Sequence, residues 1–221
     1  MPTRRFLSRT EIRAVYDRTG RWQDAQAVYE APAVDALIAH GAFDEADTLF
    51  EIGCGTGRVA ERLLRNHAPP DARYVGVDLS PTMVGLARER LAGFEDCAEV
   101  VQTDGSFAYD HPNGSQARVL ATYVLDLLSP TDIQALLAEA HRLLPPEGRL
   151  CLAGLTWGER PLGRCVAAAW TALHAVRPEW VGGCRPVRLR EFLPGEQWRV
   201  HHRELVRAWG VPSEVLVAAP A

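Results

Sequence analysis

Apolar positions change their spacing several times along the chain, and each change marks an element. Over residues 11–40 they recur at helical intervals, with Pro32 suited to a first helical turn and Gly41 placed to stop the helix after His40. From Asp47 onward, short apolar runs alternate with amphipathic stretches, the signature of βα units. Thr48–Ile52 reads as a short buried strand running into a glycine cluster, and residues 57–65 as a helix with Val59, Ala60, Leu63 and Leu64 on one face. The unit repeats: strand Arg73–Asp78 leads to a helix opened by Ser80 and Pro81 and carrying Met83, Val84, Leu86, Ala87 and Leu91. Residues 99–102 form a third strand, and a polar loop follows over 104–116. Residues 118–124 form a fourth, before a helix capped by Ser129 with Ile133, Leu136, Leu137, Ala140 and Leu144 aligned. Arg149–Leu155 is apolar on both faces, as a central parallel strand is, and residues 163–176 read as another helix. Residues 198–209 and 214–218 are β-rich and joined by turn residues at 210–213, which predicts a closing hairpin.

These elements predict an α/β protein with a Rossmann-like, doubly wound and mostly parallel sheet that ends in an antiparallel C-terminal hairpin, preceded by an N-terminal helical segment. The expected division is a helical cap over 1–46 and a ligand-binding domain over 47–221, with an insertion or lid at about 156–197. A length of 221 residues suits one domain with an appendage, and 47% hydrophobic residues supply its core. A formal charge of −4 provides no positive field for a phosphate backbone, so nucleic acid is not an expected partner. All 24 basic residues are Arg, which excludes Schiff-base chemistry and a P-loop lysine. Five cysteines without a Cys-x-x-Cys pair give neither a disulfide framework nor a zinc pattern, and a cytoplasmic location is expected. No run approaches the roughly 20 apolar residues that span a bilayer, so no integral membrane association is expected. Oligomeric state leaves no signal in the chain.

Chemistry concentrates in Glu51-Ile52-Gly53-Cys54-Gly55-Thr56-Gly57, at the carboxyl end of the first strand, where open α/β sheets bind ligands. A dinucleotide fingerprint starting at Gly53 needs a third glycine where Arg58 stands. Glu51 would repel a pyrophosphate but suits an ammonium or sulfonium. Asp78, 27 residues after Glu51 at the second strand end, can accept both hydroxyl protons of a ribose. Asp104, after the third strand, can accept an exocyclic amine, with the next backbone amide available to a ring nitrogen.

Through Glu51-Ile-Gly53-Cys-Gly55-Thr-Gly57, Gly76-Val-Asp78-Leu-Ser80 and Thr103-Asp104-Gly105, residues 47–155 resemble the class I S-adenosylmethionine-dependent methyltransferases. The resemblance implies S-adenosylmethionine as cofactor: its methionine part on the glycine loop at Gly53, Cys54 and Gly55, its ribose at Asp78 and Leu79, its adenine at Asp104 and Gly105. Glu51, Gly57, Met83, Ser106 and Tyr123 complete the expected cofactor-binding set. Residues 123–128 and the turn Pro145-Pro146-Glu147-Gly148 look most similar to the small-molecule group that includes quinone-biosynthesis enzymes.

The resemblance thus implies methyl transfer to a small-molecule acceptor. Aligning donor and acceptor can supply about 7–11 kcal/mol of the barrier, and a base is needed only where the acceptor must lose a proton. Tyr123, Asp126 and His174 are the candidates for orienting the acceptor or taking that proton. Tyr16, Trp22 and Tyr29 are candidates to close over the cofactor, Trp157, Trp170 and Trp180 to line an acceptor pocket, and Arg185 to meet an acidic acceptor group. No cluster of acids suggests catalytic Mg²⁺, and the adjacent His201 and His202 face opposite sides of a strand, so a metal-independent reaction is expected. The absence of an Asn/Asp-Pro-Pro-Tyr motif after the fourth strand argues against amino-directed nucleic-acid and glutamine acceptors. The alternatives are a non-catalytic S-adenosylmethionine-binding protein, a methyltransferase of protein side chains and, less favoured, an NAD(P)-dependent oxidoreductase.

Overall fold

β1 (Thr48–Ile52), β2 (Arg73–Asp78), β3 (Ala98–Gln102), β4 (Arg118–Thr122) and β5 (Arg149–Leu155) lie parallel wherever they pair. Helices α3 (Arg58–Asn66), α4 (Pro81–Arg90) and α5 (Pro130–Leu143) form three of the crossovers, and a polar loop returns β3 to β4. In this computed structural model, which describes residues 6–20, 24, 27–158, 161–177 and 181–221, the strand order is β3-β2-β1-β4-β5-β7-β6. β7 (Val211–Pro220) runs antiparallel to both β5 and β6 (Trp198–Ala208). The order turns around between β1 and β4, and their carboxyl ends diverge there to leave a crevice.

Successive strand residues point to opposite faces, so each strand feeds two cores. Leu49 joins Leu37, Leu63, Tyr74, Val84 and Leu120 on the face covered by α2 (Ala27–Gly41), α3 and α4. Phe50 joins Val119, Ile133, Leu136 and Leu152 on the face covered by α5. α1 (Arg9–Thr19) packs against α4, and α6 (Pro161–Val176) against β7. The buried Arg118 ties the end of α2 to β4: its Nε donates to Gly41 O at 2.7 Å and its Nη2 to Ala42 O. Among the described residues no helix is long and apolar enough to cross a membrane.

Three local expectations are corrected. Pro32 stands inside α2, not in its first turn; it removes the bond to the Val28 carbonyl, but Val28 is exposed and water can take that bond. β4 stops at Thr122 because Tyr123 adopts φ 55°, off the strand conformation. The hairpin turn is Trp209-Gly210, with φ 54° and 85°, and β7 starts at Val211. Positive φ at both central residues is the geometry whose twist matches a two-residue hairpin, so Pro212 and Ser213 enter the strand.

Candidate active site

The carboxyl ends of β1, β2 and β4 open into a cavity of about 340 Å³. Its floor is the glycine loop. Gly53 N and Cys54 N both donate to Val77 O, at 2.8 and 3.1 Å, so the loop bends over β2 directly after β1. Gly53 has φ 73°, and a Cβ there would stand 2.4 Å from Val124 Cγ2, which only a bare backbone avoids. Gly57 opens α3 at φ 76°, packed against Ala87.

Asp78 holds the loop in place. Its Oδ2 accepts from Gly55 N and its Oδ1 from Ser80 N, both at 2.9 Å. Each oxygen keeps a lone pair for a ligand hydroxyl. Burial raises the Asp78 carboxyl above its ordinary range despite these amides.

Glu51 lies beneath the loop, 1% exposed, and accepts from Tyr74 Oη at 2.7 Å. Burial, helped by the Asp78 charge, pushes Glu51 up to about 8 against the lowering pull of Tyr74.

α1 forms the roof. Ser8 caps it with a reciprocal Ser8–Glu11 box, and Ser80 Oγ donates to Asp17 Oδ1 at 2.5 Å, pinning the helix to the start of α4. Leu7, Ile12 and Tyr16 face the cavity from above. Tyr123, Glu30 and Arg58 also line it. Tyr123 Oη lies 2.9 Å from Ser213 Oγ, and Tyr29 meets the Tyr123 ring edge-on at 6.0 Å. A positive φ at a bulky residue is strain of the kind that collects at ligand sites. Burial pushes Glu30 up to about 7 even though Arg58 Nη2 lies 2.8 Å away and pulls the other way.

Of the residues expected to meet the cofactor, Glu51, Gly53, Cys54 and Gly55 line the cavity, as do Asp78, Leu79, Gly105 and Tyr123. Gly57, Met83, Asp104 and Ser106 are not among its lining residues. Met83 is sealed beneath the Ser80 cap, and Asp104 is exposed, its Oδ1 accepting from Ser106 N at 2.7 Å. Asp126 and His174 lie outside the lining too. Asp126 is wholly buried, with Oδ2 accepting from Leu155 N at 3.2 Å, and burial pushes it up to about 7. His174 Nε2 lies 3.1 Å from Gly183 O and fastens α6 to the following turn.

Tyr16 reaches the cavity, whereas Trp170 turns away, its Nε1 donating to Cys184 O at 3.0 Å. Trp157 does not line the cavity, and Trp22 and Trp180 lie outside the described residues. Arg185 points into the protein: its Nη2 donates to Leu128 O at 2.6 Å and its guanidinium lies 5.0 Å over Phe6. Glu30 was not among the expected residues. It occupies the first turn of a helix, where an acid is ordinary, and only the fold brings it to Tyr123.

Residues 49–148 match the family described as Methyltransferase domain. A carboxy-S-adenosyl-L-methionine synthase of Chromohalobacter salexigens is 34% identical over 110 residues, 48% of this chain and 38% of that protein. A tRNA N(3)-methylcytidine methyltransferase, Mettl2 of Drosophila melanogaster, is 29% identical over 126 residues, 55% of this chain and 38% of that protein. The chain thus matches well under half the length of these relatives. The magnesium protoporphyrin IX methyltransferase of Synechocystis PCC 6803, solved with bound SAH, shares the fold at a TM-score of 0.72 and 18% identity, over 96% of this chain and 99% of that one. Residues 49–148, the segment that carries the glycine loop, Asp78 and Asp104, are thus similar to a methyltransferase domain.

The buried acids give stability a definite pH dependence. Glu51, Glu30 and Asp126 keep their protons in the folded state up to about 8, 7 and 7, whereas in the unfolded chain they lose them near 4.5, 4.5 and 3.8. The unfolded state therefore binds fewer protons between these limits, and stability falls as pH rises through about 4 to 8, by at most about 1.4 kcal/mol per pH unit for each group. Thermal melts from pH 5 to 8.5 are expected to show a falling Tm, with a shallower slope in Glu51→Gln. A Tm that rises over this range contradicts the assignment.

Proposed function

We propose that the chain transfers the methyl group of S-adenosylmethionine to a small-molecule acceptor by in-line displacement without a catalytic metal. The observation that carries this reading is the roofed cavity, whose floor is bare glycine backbone and whose walls hold Asp78, Glu51 and Glu30. The residues fit the cofactor. Gly53 admits close approach of a ligand to the backbone, and Asp78 retains lone pairs for ribose hydroxyls. The buried Glu51, whose pKa is raised, gains stabilisation when a cation is brought beside it. A volume of about 340 Å³ lies in the range of single-ligand pockets.

Bound S-adenosylmethionine would supply an electrophilic methyl on a sulfonium, a leaving group able to keep the C–S electron pair, and Gly53, Gly55 and Asp78 would hold it. The chain contributes alignment and exclusion of water: α1 closes the cavity from above, and Tyr123, held by Ser213, presents a ring and a neutral phenol. Glu30 is the carboxyl placed to take a proton from an acceptor whose nucleophile carries one.

The test is calorimetric titration of the protein with S-adenosylmethionine and S-adenosylhomocysteine, with NADH as control, followed by turnover to S-adenosylhomocysteine with pools of small phenols, acids and amines. Micromolar binding of the first two and none of NADH supports the reading. Turnover only with tRNA, as the Drosophila relative's name suggests, or only with a protein substrate replaces the acceptor class, and binding without turnover on any acceptor leaves a binding protein. Asp78→Ala is expected to weaken S-adenosylmethionine binding by about 2–3 kcal/mol, since charge-assisted bonds to the ligand and two loop anchors are lost together. Unchanged affinity removes Asp78 from the site.

A further inference from the structure

On β6 the alternation of faces is broken by a bulge. Val200 pairs with Ala218 and His202 with Val217, leaving His201 as the extra residue. Before the bulge, Trp198 and Val200 pack into the α5-side core; after it, Val206 packs into the α2-side core. A bulge re-aims the side chains that follow it. Here it swings His202 and Glu204 together to the α2 side, where the His202 ring stacks on His40 at a centroid distance of 3.5 Å. An even alternation along β6 would have sent His202 and Glu204 to the other face, which is why sequence spacing assigns no ligand set here.

We infer that His40, His202 and Glu204 form a divalent transition-metal site that fastens the end of α2 to β6. One ligand atom from each residue lies within 4.8 Å of the others. His202 Nε2 is shut off from solvent yet makes no hydrogen bond, although Glu204 Oε2 is only 3.4 Å from it. Two ligands of a tetrahedral zinc, each at about 2.0–2.2 Å from the ion, stand about 3.4 Å apart. An orphaned imidazole nitrogen facing a carboxylate oxygen at that separation is half of such a site. His40, exposed in the last turn of α2, completes it by turning its ring out of the stack. Two imidazoles and one carboxylate, with water in the remaining position, suit Zn²⁺ and its spectroscopic substitute Co²⁺.

The position separates this site from the cavity. Arg149, the first residue of β5, donates from Nη1 to His40 O at 3.3 Å, which places the cluster at the amino edge of the sheet, opposite the carboxyl edge that opens into the cavity. The ion acts as a clamp and takes no part in methyl transfer, so the inference stands or falls apart from the proposed activity. α2 carries Glu30 at its other end, and fixing its last turn to β6 steadies that wall of the cavity.

The test uses the untagged full chain. CoCl₂ titration followed by visible absorption is expected to give one equivalent of bound ion with the strong bands of low coordination, and ZnCl₂ to displace it and raise Tm. His202→Ala, His40→Ala and Glu204→Gln are each expected to weaken Co²⁺ binding at least about tenfold. His201→Ala is expected to leave it unchanged, and all four variants to melt with the parent in chelator. Absence of saturable binding overturns the inference. So does binding that survives His202→Ala or is lost in His201→Ala, which places the ion on other histidines.

Discussion

Glu214→Ala is expected to destabilise the protein by about 3 kcal/mol and to lower Tm by roughly 6–12 °C. Glu214 sits on β7 with no exposed surface, between Gly154 of β5 and Leu205 of β6. Its Oε1 accepts from Arg203 Nε at 2.6 Å, and its Oε2 accepts from Leu189 N at 2.7 Å and Thr156 Oγ1 at 3.4 Å. One carboxylate thus joins an edge strand, the loop beyond β5 and the short helical turn Leu189–Phe192 that plugs the α5-side core. Truncation leaves the Leu189 amide buried without an acceptor, which alone costs about 1–3 kcal/mol. It also frees Arg203, whose side chain is 43% exposed and recovers part of its loss from water, so the total stays below the upper limit for a broken buried pair. Glu214→Gln keeps an acceptor for Leu189 N and is expected to cost less than Glu214→Ala. Melting of Glu214→Ala within a degree or so of the parent would sink this account.

What the chain reveals before folding, and what it hides, divides along a physical line. β1, β4 and β5 are short apolar runs covered by helices, so burial on both faces writes each into consecutive residues. The glycine loop is legible because the lack of a Cβ is itself the requirement: at Gly53 any side chain meets Val124. Asp78 is legible through its place at the end of β2, although its bonds to Gly55 and Ser80 show it organising the loop as well as facing the cavity. Asp104 occupies the corresponding place after β3, yet its carboxylate folds back onto Ser106 N, while Thr103 and Gly105 on either side line the cavity. Turn chemistry two residues long decided its direction, and position along the strand did not.

The hidden features are all meetings of distant segments. Glu30 and Arg58 approach across 28 residues, and Asp17 and Ser80 across 63. No local period records such a contact. The roof over the cavity is a case in point: nothing within residues 9–19 says that Asp17 will bind the cap of α4. Asp126 and His174 failed to reach the cavity for the converse reason. Asp126 stands next to lining residues in the chain and His174 on the helix after β5, and each is taken up in fastening neighbouring backbone, at Leu155 and Gly183.

Glu30→Gln is expected to lower kcat by about 10²-fold or more on an acceptor that loses a proton, with S-adenosylmethionine affinity nearly unchanged. The carboxyl lines the cavity, and burial brings it to about 7, where a general base is half ionised near neutral pH. Activity of the parent therefore rises with pH up to about 7, as the carboxyl gives up its proton, and levels above it. Glutamine keeps an oxygen to accept from Arg58 Nη2, so the 2.8 Å contact that seats the side chain survives while the titration is lost. The variant's pH profile is expected to lack the rising limb, an outcome that a purely structural role for Glu30 would not produce. Asp126 supplies the contrast: burial brings it near the same value, but it is sealed beneath Leu155 and does not reach the cavity. The limb is accordingly expected to persist in Asp126→Asn. Initial rates from pH 5 to 9 on parent and both variants decide it. A limb that vanishes with Asp126→Asn and persists with Glu30→Gln would move the proton to the wrong side of the wall and remove Glu30 from the chemistry.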